Sequence, residues 1–132
     1  MGAQVQLIKE DSLRAVADGF TFGIRLNWYR SLPLSSVDIL SVKVDGEQVP
    51  LDQVLFEIND HQYSQAELLE KYEEFWFVQD FAGICVRQPG KVNQGESHTI
   101  EAEVSLRFPY MQIGPGKFLT NVTRNVATQV AQ

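Results

Sequence analysis

The chain has 132 residues and a mass of 15.0 kDa, the size of one domain whose fold buries roughly two-thirds of its unfolded surface. Hydrophobic residues make up 44% and charged residues 21%, which excludes the low-hydropathy, high-charge range in which chains stay disordered. A net charge of −6 with pI near 4.8 excludes the basic footprint that nucleic acid or an anionic lipid surface requires.

Met1 to Glu10 lacks the basic and apolar regions of a secretory signal, so no export is expected. Asn121-Val122-Thr123 has the form of a glycosylation acceptor, a reading that needs secretion and is set aside. Phe75 to Val78 is the longest aromatic-apolar run, far short of the roughly 20 residues that span a bilayer. Cys85 is the single cysteine, which rules out an intrachain disulfide and fits a reducing compartment. A cytoplasmic protein is the expectation.

Side chains of a strand point alternately to its two faces, so alternation of apolar and polar residues marks a half-buried strand. Phe20, Phe22, Ile24 and Leu26 take one face, against Thr21, Gly23, Arg25 and Asn27 on the other. Leu34, after Leu32-Pro33, is read as loop because Pro breaks regular structure. Leu40, Val42 and Val44 alternate into Asp45-Gly46, a dipeptide that favours a type I′ hairpin, with the return through Gln48 to Pro50. Val54, Phe56 and Ile58 repeat the pattern up to an Asn59-Asp60 turn. Ser64 with Glu67 has the spacing of a capping box, and the good helix formers that follow predict one short helix.

Gly83 to Arg87 is dense in apolar residues, as expected of a strand covered on both faces, and would bury Cys85. Loops follow at Pro89-Gly90 to Gly95 and at Gly114-Pro115-Gly116. Between them His98, Ile100, Ala102, Val104, Leu106 and Phe108 form the longest alternating run, with Thr99, Glu101, Glu103, Ser105 and Arg107 facing solvent or a neighbour. Short strands without a strand–helix rhythm predict an all-β, antiparallel β-sandwich with one short helix. Residues 1–120 are assigned to it. Residues 121–132 are set apart as a polar tail, expected to fray or to contact a partner.

A nucleophilic enzyme needs a Ser, Cys or Thr with an oriented base. Only His61 and His98 are imidazoles; one sits in a turn and the other at the start of a strand, and neither has a Gly-flanked Ser nearby. Asp60-His61 is a weak metal-ligand pair. Glu101 and Glu103 share the outward face of one strand, where charge ordinarily serves solubility. No catalytic, cofactor-binding or metal-binding residue is assigned. Two segments instead carry the Trp, Tyr, Arg and Met that are enriched at interfaces. They are Trp28-Tyr29-Arg30-Ser31-Leu32-Pro33-Leu34 and Phe108-Pro109-Tyr110-Met111. Trp28, Tyr29, Arg30, Leu32, Pro33, Leu34, Phe108, Pro109, Tyr110 and Met111 are therefore the candidate partner interface; the alternative is that both segments cap the sandwich by packing on themselves.

Four segments in order, Ile8-Lys9-Glu10-Asp11-Ser12-Leu13, Tyr29 to Ser35, Val42 to Pro50, and Leu106-Arg107-Phe108-Pro109-Tyr110-Met111, resemble the small β subunit of bacterial C-glycoside deglycosidases. The resemblance covers most of the chain but not the part after Gly114. It implies a larger α subunit similar to xylose-isomerase-type (TIM) barrels, holding a divalent metal, usually manganese, and the acid–base residues. It implies a lyase-type reaction: a 3-oxo-C-glycoside of a flavonoid or anthraquinone loses its C2 proton, the metal stabilises the enolate, and the C–C bond to the aglycone breaks. This chain would then be a non-catalytic subunit that supports or covers the α-subunit active site. The alternative is a stand-alone sugar- or polyphenol-binding sandwich that stacks ligand on Trp28, Tyr29 and Tyr110.

Overall fold

A computed structural model describes residues 7–28 and 30–132, and the side chains of all these except 109–113 and 118. In chain order the elements are β1 (Arg14–Val16), β2 (Gly19–Arg25), β3 (Leu32–Pro33), β4 (Val37–Val44), β5 (Glu47–Gln48), β6 (Val54–Ile58), β7 (His61–Tyr63), α1 (Gln65–Leu68), β8 (Phe75–Trp76), β9 (Phe81–Val86), β10 (Ser97–Gly114) and β11 (Lys117–Val130). One sheet has the order β1-β2-β9-β6-β7, the second β11-β10-β4-β5, and β3 pairs with β8 in a separate ribbon. Every pairing is antiparallel. The architecture is the expected all-β sandwich.

Alternation builds its core. Phe20, Phe22, Ile24, Phe56 and Ile84 from the first sheet, and Val42, Val44, Ile100, Val104 and Leu106 from the second, belong to one buried cluster. Each such side chain contributes about 1.5–3 kcal/mol of burial free energy. The turns obey their sequences: Asp45 and Gly46 both have positive φ, 50° and 83°, between β4 and β5, as do Asn59 and Asp60 between β6 and β7. Ser64 caps α1 through a complete capping box with Glu67. The helix ends after four residues.

Several expectations are corrected. In β4 it is Ile39, 6% exposed, that enters the core, and Leu40 is 42% exposed. The cause is a β-bulge: Glu103 faces Ser41 while Val104 faces Ile39, so Leu40 is the extra residue and the phase of the alternation changes there. Ser105, expected to face solvent or a neighbour, is buried. β9 is covered on one face only; Ala82, Ile84 and Val86 are inside, whereas Cys85 is half-buried on the outer face. Its thiol contacts Thr21 Oγ1 at 3.6 Å and Gln62 Nε2 at 3.7 Å, and desolvation pushes its pKa up. The assumed loop at Leu32-Pro33-Leu34 is β3 running into a 3-10 turn over Leu34–Ser36.

The largest correction concerns the terminal segment. Residues 121–130 do not stand apart as a tail: they form most of β11 and pair with β10 from Asn121↔Leu106 to Val130↔Ser97. Their inward side chains are polar or small, and they hold the N-terminal segment by hydrogen bonds. Gln129 Oε1 accepts from the backbone N–H groups of Ser12 and Leu13, and its Nε2 donates to Lys9 O. Asn125 Oδ1 accepts from Ile8 N, and Asn27 Nδ2 donates to Thr123 Oγ1 at 2.6 Å.

Candidate docking surface

The two aromatic segments meet. Trp28 follows β2 and stacks on Phe108 of β10, with ring centroids 3.9 Å apart and planes 20° apart. Arg107 Nη2 donates to Ser35 O at 2.8 Å, tying β10 to the turn after β3. Not all of the candidate interface is surface, however. Leu32, Leu34 and Phe108 are at most 1% exposed and belong to the core; they support this end of the sandwich from beneath. Pro33 and Trp28 are half-buried and Arg30 is exposed. Tyr29 lies outside the described residues, as do the side chains of Pro109, Tyr110 and Met111. Of a Trp28, Tyr29 and Tyr110 stacking platform, only Trp28 is thus described, and Phe108 stacks on its ring.

Beside this loop stands an aromatic segment that the sequence reading passed over. β3 pairs with β8, Leu32 opposite Trp76 and Pro33 opposite Phe75. Strand alternation sends Trp76 inward, to 1% exposure against the Phe56 ring 5.3 Å away, and turns Phe75 and Phe77 outward. Phe75 and Phe77 have their centroids 6.4 Å apart and are 38% and 54% exposed. Val78 and Phe81 are also exposed, the latter with Lys9 Nζ 4.6 Å and Arg25 Cζ 5.2 Å from its centroid. Large apolar side chains grouped on a surface are the mark of an interaction site.

The aromatic rim is held rigidly. Trp76 Nε1 donates to Asp80 O at 2.8 Å and closes the loop after β8, while Val78 N donates to Ser31 Oγ at 3.0 Å. Leu34 N donates to Glu74 O and Ser35 N to Lys71 O. The Tyr63 hydroxyl donates to the Glu74 carboxylate at 2.7 Å. Desolvation, reinforced by that carboxylate, pushes the Tyr63 pKa up to about 12, and the same hydrogen bond holds Glu74 below the usual carboxylate range. Pre-set geometry of this kind limits the ordering entropy lost on association.

The other candidate groups have structural partners. His98 is 7% exposed; its Nδ1 lies 2.7 Å from Asp45 Oδ2 and its Nε2 accepts from Asn93 N. Asp45 Oδ1 also accepts from Thr99 N; these bonds, that from His98 foremost, lower the Asp45 pKa. His61 opens β7 and is exposed. Glu101 bonds Arg124 at 2.8 Å and lies 3.7 Å from Lys43, a cross-strand charge row on the outer face. Among the described residues no three His, Cys, Asp or Glu side chains converge as a metal site would, and no helix is long and apolar enough to cross a membrane.

Comparison with known proteins agrees with the resemblance read from the sequence. A 3′-dehydrocarminate deglycosidase beta subunit from Microbacterium sp. is 40% identical over 108 residues, which is 82% of this chain and 80% of the relative. A C-glycoside deglycosidase beta subunit from Arthrobacter globiformis is 34% identical over 121 residues, 92% of each chain. One from Microbacterium trichothecenolyticum is 25% identical over 126 residues, covering 96% of this chain and 95% of the relative. The family described as C-glycoside deglycosidase beta subunit matches residues 3–110, and the chain belongs to that family.

Proposed function

We propose that this chain is the non-catalytic small subunit of a heteromeric deglycosidase, and that it docks on a larger, metal-dependent barrel subunit through the aromatic end of its sandwich. Phe75, Phe77 and Val78 form the apolar centre of that contact, with Pro33, Arg30 and the outer edge of Trp28 beside them. The observation that carries this reading is the pair of exposed phenylalanines on a hydrogen-bonded frame in a member of a beta-subunit family. The reaction of the complex is elimination that breaks the carbon–carbon bond of a 3-oxo-C-glycoside, with an aromatic aglycone of the anthraquinone or flavonoid class. The relative that bears the name of 3′-dehydrocarminate supports the oxidised sugar. Proton transfer and the divalent metal, manganese by the resemblance, belong to the large subunit, and no metal step is assigned here. This chain orders the loops around the substrate and excludes water from the pocket mouth, in the cytoplasm.

Substitution of Phe75 and Phe77 together by Ser tests the docking. Two central aromatic anchors contribute about 2–4 kcal/mol together, so affinity for the large subunit falls by roughly 30-fold or more. The melting temperature of the free chain stays within a few degrees, because both rings are solvent-facing. Unchanged affinity with an intact fold would refute this docking surface.

A further inference from the structure

Arg25 shows how this chain satisfies a surface ring and a carboxylate together. Its guanidinium carbon lies 5.2 Å from the centroid of the Phe81 ring, and its Nη2 donates to Glu10 Oε2 at 2.8 Å. A planar guanidinium suits both tasks, because it can stack on an aromatic face while its N–H groups bond a carboxylate.

A second ring and carboxylate stand together on the docking rim without a cation. Phe77 to Asp80 form a tight turn in which Asp80 N donates to Phe77 O at 2.9 Å, and such a turn brings its first and last residues within about 7 Å. Phe77 and Asp80 line one open groove of about 440 Å³ with Ser31, Val78 and Gln79. Both are exposed. Among the described residues no lysine or arginine lies over the Phe77 ring or pairs with the Asp80 carboxylate. The groove is set before any partner arrives, since Trp76 Nε1 holds Asp80 O and Ser31 Oγ holds Val78 N. Its surroundings favour positive charge: from Glu67 to Asp80 the sequence has five carboxylates against one cation, Lys71. Two of the five, Glu67 and Glu74, are used by the α1 capping box and by Tyr63.

Resting on the proposed docking of this rim to the large subunit, we infer that the Phe77–Asp80 groove receives an arginine of that subunit. Its guanidinium stacks on Phe77 and bonds Asp80, in the manner of Arg25 between Phe81 and Glu10. The occupant is a cation because the one charged group lining the groove is a carboxylate. It is arginine because a lysine ammonium is a compact, strongly hydrated point charge with no flat face to lay on the ring. Association removes water from the pair and strengthens both contacts.

The test measures the affinity of the purified large subunit for the full chain as wild type, Asp80→Asn, Asp18→Asn and the double Ser variant of Phe75 and Phe77. Asp18, exposed in the turn between β1 and β2, controls for the loss of one negative charge. Asp80→Asn is expected to weaken binding about tenfold at low salt and by less near about 1 M, where screening is strong; Asp18→Asn is expected to change it by less than about twofold. Phenylglyoxal labelling of the large subunit, free and in the wild-type complex, identifies the arginine that the complex shields. Its replacement by Lys is expected to weaken wild-type binding about tenfold and to add little to the Asp80→Asn loss, because both changes remove one contact. This cycle also serves if circular dichroism finds Asp80→Asn unfolded, with Asp80→Ser in its place. Unchanged affinity of Asp80→Asn, an equal loss in Asp18→Asn, no shielded arginine, or fully additive losses overturns the proposal. Where the double Ser variant is weakened and Asp80→Asn is not, the docking stands and the arginine is refuted; where neither is weakened, the docking face itself is refuted and the arginine with it.

Discussion

The Trp28–Phe108 stack joins the two aromatic segments, and its energetics are accessible to a double-mutant cycle. Phe108 is 1% exposed within the core and faces Trp28 at 3.9 Å. Phe108→Ala removes a fully buried ring and costs about 3–5 kcal/mol. Trp28 is half-buried, so Trp28→Ala loses about half of an aromatic burial, about 2 kcal/mol. Part of both losses is the same contact, and stacked pairs carry about 0.5–1.5 kcal/mol beyond area, so the double variant is less damaged than the summed singles by about 1 kcal/mol. Denaturant unfolding followed by fluorescence provides the assay, because Trp76, buried in the core at 1% exposure, remains as reporter in all variants. A coupling below about 0.3 kcal/mol, or a Phe108→Ala cost under 1 kcal/mol, would refute the assignment of Phe108 to the core and of Trp28 to its cover.

Two further predictions concern polar contacts. Asp45 has its pKa lowered by His98 and by the Thr99 N–H, so its contribution is present above the unfolded value near 3.9 and is lost as pH falls through the folded one. Asp45→Asn, which keeps the residue's tolerance of positive φ, should cost about 1 kcal/mol at pH 7, discounted for the 47% exposure of the side chain. The gap from wild type closes on acidification below about pH 4; a gap constant with pH contradicts the pairing. Gln129→Ala leaves two backbone N–H groups and one carbonyl of the N-terminal segment without their partner, for a loss of about 2–3 kcal/mol and faster amide exchange at Ser12 and Leu13. Unchanged exchange there would refute the clamp.

What the sequence made legible was what period-2 patterning and turn chemistry encode. β2, β6 and the first part of β10 were readable because one whole face is apolar, and the turns at Asp45-Gly46 and Asn59-Asp60 because those residues tolerate positive φ. β11 was not, because Asn125 and Gln129 bond the backbone of a segment more than a hundred residues away, and Thr123 bonds the Asn27 side chain, in place of entering an apolar core. That polarity reads locally as solvent exposure. Leu40 was misplaced because a bulge shifts the phase of alternation without any trace in residue type. Within the candidate interface, interface-like composition did not separate Leu32, Leu34 and Phe108, which are core, from what lies above them. Phe75 and Phe77 were legible in principle: they alternate with Trp76 across an apolar run otherwise weighed only as a membrane span.

The central claim is that this chain completes an activity housed in another polypeptide. The most direct measurement titrates the purified large subunit with this chain and follows aglycone release from a 3-oxo-C-glycoside. The account predicts negligible turnover by this chain alone, weak turnover by the large subunit alone, and a rise that saturates at equal stoichiometry and is shifted to higher concentration by the Phe75 and Phe77 substitutions. Full turnover by the large subunit without this chain, or cleavage by this chain by itself, would contradict it.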